Sequence, residues 1–135
     1  MKSVLRFIDY VIDEIYFKNE YNNEESFELD FEIDSNVEFD DANNFVLKLN
    51  THIFQKQENA PFRMNVKIIG IFEIDDVEDN LRLEIAEKNA VAILFPYVRA
   101  LISNYTAVAN VSPLILPPIN VTQYLKDKKK RISET

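Results

Sequence analysis

N-A-V-A-I-L-F-P-Y-V-R-A-L-I-S-N-Y-T-A-V-A-N-V-S-P-L-I-L-P-P-I-N-V, from Asn89 to Val121, is the stretch on which the fold turns. Its first half sets Ala90, Val91, Leu94, Phe95, Tyr97, Val98, Leu101, Ile102 and Tyr105 at the three-and-four spacing of one helical stripe. Ala92, Arg99 and Ser103 take the opposite face. Pro96 lies inside the pattern, lacks a backbone donor, and must either kink the helix or occupy its first turn. The second half is of another kind. Pro113, Pro117 and Pro118 forbid helix and favour extended backbone. Yet the connector carries Leu114, Ile115, Leu116, Ile119 and Val121, where surface loops are ordinarily polar. Such a segment either packs beneath another element or stands ready for an apolar partner from outside.

Working outward from that pair, the upstream chain reads as strands. Leu5 to Phe17 is rich in Phe, Ile, Tyr and Val and fits a strand or an amphipathic helix by spacing alone. Phe27 to Asp34, F-E-L-D-F-E-I-D, alternates apolar and acidic residues without a break, the clearest strand pattern in the chain. Phe45 to Phe54 turns Phe45, Leu47, Leu49, Thr51 and Ile53 to one face and Lys48, Asn50 and His52 to the other. Gln55 to Pro61 is polar and reads as a hairpin connection. The fourth strand, Phe62 to Ile74, sets Phe62, Met64, Val66 and Ile68 against Arg63, Asn65 and Lys67, and its Gly70 suggests a bulge or bend. An acidic loop, Asp75 to Asn80, leads through Leu81, Leu83, Ile85 and Ala86 to the helix. A short second helix passes through Tyr124 and Leu125, with Thr122 near its start.

Strands first and helices afterwards give an α+β fold: a four-stranded antiparallel sheet, a long helix, a proline-rich crossover connector and a short second helix. The expected organisation is one domain over residues 1–125 and a charged, flexible tail over 126–135.

Composition bounds the function. A chain of 135 residues with 47% hydrophobic content builds a core without staples. No cysteine is present, which removes disulfides, thiolate metal sites and thiol catalysis. A net charge of -8 argues against a nucleic-acid binder, which needs a basic surface. The single histidine, His52, falls on the wet strand face with no second imidazole, and one glycine cannot build a phosphate loop. Asp75, Asp76, Glu78 and Asp79 lack the glycine turn of a calcium loop. The inventory implies no enzyme, no cofactor and no metal. Arg6, Asp9 and Asp13 interrupt any secretory signal, and Pro96 and Arg99 cut the longest apolar run short of the ~18 residues that span a bilayer, so a cytoplasmic location is expected. What remains is apolar surface. Leu114 to Val121 either caps the core or lines a groove for extended polypeptide, with Leu116→Asp the substitution expected to weaken binding while leaving the assembly intact.

I-L-F-P-Y-V-R, Ile93 to Arg99, followed by P-L-I-L-P-P-I-N-V, Pro113 to Val121, resembles the hallmark region of the SecB family of export chaperones. F-R-M-N-V-K-I-I-G-I-F, Phe62 to Phe72, resembles that family's last strand, with the glycine in register. The resemblance tips Leu5 to Phe17 toward a bulged strand. It implies an ATP-independent holdase that keeps precursor proteins unfolded, assembled as a homotetramer, a dimer of dimers. Leu114, Leu116, Pro117, Ile119, Val121 and Tyr124 match the region lining the client groove. Met64, Val66 and Ile68, with Tyr97, Leu101 and Tyr105 on the helix, match positions tied to the oligomer interface. Glu14, Lys18 and Asn65 match the positions that dock the SecA motor, where only the first stays acidic, so attraction to a basic SecA tail is weakened. Solitary members of the family protect the antitoxin of a toxin–antitoxin pair, a second possible client. An oligomeric scaffold that binds one folded partner is the alternative outside the chaperone class.

Overall fold

In a computed structural model of the chain, four strands form one antiparallel sheet in the order β1–β4–β3–β2. They span Leu5–Asn19 (β1), Phe31–Asp41 (β2), Asn44–Ile53 (β3) and Phe62–Ile74 (β4). A long helix, α1, runs Asp79–Val108, and α2 has helical backbone at residues 123–124 and 126–128. The structure describes residues 4–22, 27–112, 114–116, 123–124 and 126–128. The α+β arrangement agrees with the sequence reading.

β3 and β4 alternate strictly between buried and partly exposed residues, and their buried sets are those expected from the period of two. Val91, Leu94, Phe95, Val98 and Ile102 of α1 complete the core against them, each at 2% exposure or less. Full burial of such a side chain is worth about 1.5–3 kcal/mol, so docking of α1 carries much of the stability.

β1 shows why its spacing was ambiguous. Register shifts lie between Phe7 and Asp9 and between Ile12 and Glu14, so one extra residue enters the strand at each place. Each shift moves the inward phase by one. Leu5, Phe7, Tyr10, Ile12, Ile15 and Phe17 then pair with Ile74, Phe72, Gly70, Ile68, Val66 and Met64 on the helix side. Twos and threes alternate along that row, which imitates a helical stripe.

Three boundaries differ from expectation. β2 begins at Phe31, not Phe27, and runs on to Asp41. Residues 27–30 instead brace the next turn, where the Asp30 carbonyl accepts from the Phe54 amide (2.7 Å) and its carboxylate from the Lys56 amide (3.1 Å). Ser35 and Asn36 have little strand preference, and their pairing with Leu49 and Lys48 keeps β2 extended. α1 begins at Asp79, ahead of the apolar stripe, and a π turn at Ile85–Asn89 brings buried Ile85 and Ala86 into phase with Ala90 and Val91. Pro96 sits well inside the helix on its exposed side, which removes the first-turn alternative.

Gly70 is not the extra residue of a bulge: the β3–β4 register passes through it unbroken, and the nearby shift inserts its residue into β1. It is a point of close approach. A Cβ there would lie 2.7 Å from the Phe72 ring and 3.1 Å from a Leu94 methyl. The expectation of no long apolar run is corrected as well. α1 contains an 18-residue window of mean hydropathy 1.3, long and apolar enough to cross a membrane by length and composition. Its apolar stripe packs on the sheet instead.

Candidate functional site

The polar side of α1 is a clamp. Arg99 donates from Nε and Nη2 to the Leu116 carbonyl at 3.2 and 3.1 Å, and Ser103 Oγ donates to the Leu114 carbonyl at 3.2 Å. Thr106, wholly buried, donates to the Ile102 carbonyl (2.8 Å) and accepts the Leu114 amide (3.0 Å). Three side chains at helical spacing thus satisfy backbone groups of Leu114 and Leu116, which lie in no regular element. The helix ends just beyond, with Asn110 at φ 63° and the Val111 amide donating back to the Thr106 carbonyl at 3.4 Å. Sequence reading assigned Arg99 and Ser103 only to an outer face and passed over Thr106. Their four-then-three spacing was the available signal.

This clamp decides which connector side chains point inward. Leu116 is 1% exposed and belongs to the core, Leu114 is half-buried, and Ile115 is 73% exposed. Leu116, expected along the groove, is therefore a correction: its side chain is part of the floor inside the chain. Ile115 is the side chain offered to solvent. Pro117, Ile119 and Val121, the other connector residues expected in the groove, lie outside the described residues, as does Leu125.

Tyr124, the last of the expected groove residues, packs against the edge of the sheet. Its ring stacks on Phe31 with centroids 5.7 Å apart, and its hydroxyl oxygen accepts the Ile33 amide at 3.1 Å. One turn on, Lys128 donates to the Ile33 carbonyl at 2.8 Å and pairs with the carboxylates of Asp34 and, at 3.4 Å, Glu32. This corrects the flexible-tail reading for residues 126–128: a lysine run looks solvated in sequence, but the acidic wet face of β2 gives Lys128 a seat. His52 shares Asp34, its Nε2 3.1 Å from the carboxylate.

Burial works to raise the Asp34 pKa, but the hydrogen bonds and charges of Lys128 and His52 outweigh it and hold the carboxyl below its usual value. Burial likewise works to lower the Lys128 pKa, and Asp34 and Glu32 outweigh it, so the ammonium is held above its usual value. A depressed acid contributes stability above its unfolded pKa and loses it as pH falls through the folded one; a raised base contributes below its unfolded pKa and loses it as pH rises through the folded one. The seat should therefore hold across the neutral range and release only in acid below the ordinary Asp pKa of about 4 or in base above the ordinary Lys pKa of about 10. The protection factor of the Ile33 amide is expected to follow that window. A value unchanged well into acid would show that the Lys128–Asp34 pair does not hold α2.

Val37 is half-buried and Phe39 exposed at the far end of β2, and on the connector Ile115 is exposed and Leu114 half-buried, so both elements leave apolar side chains uncovered. Met64, Val66 and Ile68, expected at an oligomer interface, are 2% exposed or less beneath α1. In this conformation they belong to the chain's own core. Tyr97 is 40% exposed and meets Tyr10 at 4.8 Å, while Leu101 and Tyr105 are half-buried. Glu14, Lys18 and Asn65 share the open face of the sheet, where Glu14 faces Lys67 at 3.9 Å and Lys18 faces Glu20 at 3.8 Å. Among the described residues no His, Cys, Asp and Glu side chains converge in threes to hold a metal ion.

The chain matches the family model described as preprotein translocase subunit SecB over residues 8–131. An uncharacterised protein of Methanocaldococcus jannaschii, MJ0357, is 41% identical over 129 residues, covering 89% of this chain and 81% of that one. Among solved structures, the SecB-like chaperone Rv1957 of Mycobacterium tuberculosis, in complex with a ChAD peptide from the Rv1956 HigA1 antitoxin, superposes with a TM-score of 0.71 at 19% identity. That match covers 85% of this chain and 90% of the other. A protein of unknown function from Streptococcus agalactiae superposes at 0.51 with 13% identity, over 84% of this chain and 96% of that one. At these identities both structures speak for the fold.

Proposed function

The chain belongs to the SecB family, and from that premise we propose that it is a chaperone that holds extended apolar segments of unfolded polypeptide without ATP. The observations that support this most are apolar side chains left uncovered on the clamped connector, Ile115 at 73% exposure with half-buried Leu114, and on β2 and α2, exposed Phe39 with half-buried Val37 and Tyr124. Pro117, Ile119 and Val121 are proposed as further client-binding residues. Burial of client side chains there yields about 25 cal/mol per Å² whatever their order, which suits a holder of many sequences. The clamp of Arg99, Ser103 and Thr106 orders the connector before a client arrives, so binding forfeits less entropy.

The proposed working unit is a cytoplasmic homotetramer, a dimer of dimers. Tyr10, Ile12 and Tyr97 supply apolar surface for it on the helix side of edge strand β1. The proposed clients are precursor proteins or, as in the antitoxin complex of the mycobacterial neighbour, an antitoxin. At the positions that match the SecA dock, Glu14 is paired with Lys67 and Lys18 stands nearby, which weakens local attraction to a basic SecA tail and favours the antitoxin reading.

A denatured protein of unrelated sequence, diluted without nucleotide into equimolar assembly, is expected to stay soluble and to refold more slowly. Aggregation at the rate seen in buffer alone would leave a scaffold for one folded partner as the better account.

A further inference from the structure

Resting on the chaperone reading above, we propose that the outer edge of β2, from Phe31 to Phe39, takes up an extended client segment as a fifth strand, and that Tyr124 and Lys128 hold this edge closed until the segment displaces them. Ile33 carries the argument. Its amide donates to the Tyr124 hydroxyl at 3.1 Å, and its carbonyl accepts from Lys128 at 2.8 Å. An acceptor for the N–H and a donor for the C=O are what one residue of a neighbouring strand supplies. Here two side chains one helical turn apart supply them, so both backbone groups of Ile33 point away from β3.

Pairing with β3 runs without a shift from Phe31 to Phe39. Alternate residues along that run, Phe31, Ser35 and Val37, therefore turn their backbone groups to the same outer side.

The charge of the strand selects the occupant. β2 carries Glu32, Asp34, Glu38, Asp40 and Asp41 and no cation. A second copy offering the same edge would set carboxylate against carboxylate, whereas a segment bearing lysine or arginine finds the place Lys128 now fills. Acidic residues also protect edge strands from aggregation. Protection alone, however, does not call for a donor and an acceptor on one residue. Backbone pairing is blind to client sequence, and the half-buried Val37 and exposed Phe39 give alternate client side chains an apolar shelf.

The probe is a short peptide alternating leucine or phenylalanine with lysine, compared with the same peptide N-methylated at alternate residues, which keeps every side chain and removes the pairing donors. Methylation is expected to weaken binding to the wild-type assembly on the order of tenfold, and the unmodified peptide to slow exchange of the Ser35 and Val37 amides. Ser35→Pro removes an outward donor and no ladder bond, so it should melt near wild type and bind the unmodified peptide as weakly as wild type binds the methylated one. Tyr124→Phe, which gives up the placeholder at Ile33, should bind severalfold more tightly.

Equal affinity for both peptides overturns the inference, as does unchanged binding by folded Ser35→Pro. A change in sedimentation of Ser35→Pro without peptide would assign the edge to another copy and overturn it too. If Ser35→Pro fails to fold, the two peptides on wild-type protein still decide. Suppressed aggregation together with indifference to methylation sinks this inference alone; no suppression and no peptide binding sinks the chaperone reading with it.

Discussion

Leu116→Asp is expected to unfold the chain rather than to blunt a binding surface. Leu116 is 1% exposed within the core, its backbone tied down by Arg99. Truncating such a leucine costs about 2–5 kcal/mol by itself. Placing a carboxylate in the same space adds the desolvation of a charge without a partner. The sum is of the order of the whole stability of a domain this size, about 5–15 kcal/mol. Urea denaturation should find no cooperative transition, or one displaced to very low denaturant, and a midpoint close to wild type would refute the placement of Leu116. Ile115→Asp is the matched control. At 73% exposure it should change stability by less than about 0.5 kcal/mol while taking an apolar side chain from the proposed client surface.

Gly70→Val should destabilise by about 3 kcal/mol, a fall in melting temperature of roughly 10 °C. The β-branched residue has the better strand preference, so propensity alone predicts the opposite sign. Space decides against it. The new Cβ would come within 2.7 Å of the Phe72 ring and 3.1 and 3.3 Å of the two Leu94 methyls. The ring cannot swing aside, because it stacks on Phe45 at 5.2 Å with planes 7° apart and also touches Phe7 at 5.3 Å. Strain must therefore pass to α1. A thermal melt of Gly70→Val and of Gly70→Val with Leu94→Ala tests this, since the double variant should lose less than the sum of the two single losses. Strict additivity would mean that the glycine is not where the helix comes closest.

Where one face of a strand is dry and the other wet, the period of two was enough to read it, as in β3 and in β4, whose bounds the sequence reading also matched. β1 resisted because its two register shifts break that period. The start of α1 was hidden because Leu81 and Leu83 are exposed and fall outside the stripe that marks the rest of the helix. Around the candidate site the prolines announced an extended, apolar connector, but extension alone does not say which of Leu114, Ile115 and Leu116 turns inward. Lys128 was lost in a run of like charges, although it sits with its Nζ on the Ile33 carbonyl.

Alternation and helical spacing along the chain by themselves determined the layers: a sheet with one dry face, a helix to cover it, and an apolar segment barred from helix by its prolines. These are local properties, written in the order of neighbouring residues. Tertiary structure alone decided that Arg99, Ser103 and Thr106 turn Leu116 into the core and Ile115 out of it, and that Tyr124 and Lys128 meet the edge of β2 at Ile33. Those outcomes depend on hydrogen bonds to backbone groups on other elements, brought near only once the sheet and helix have packed.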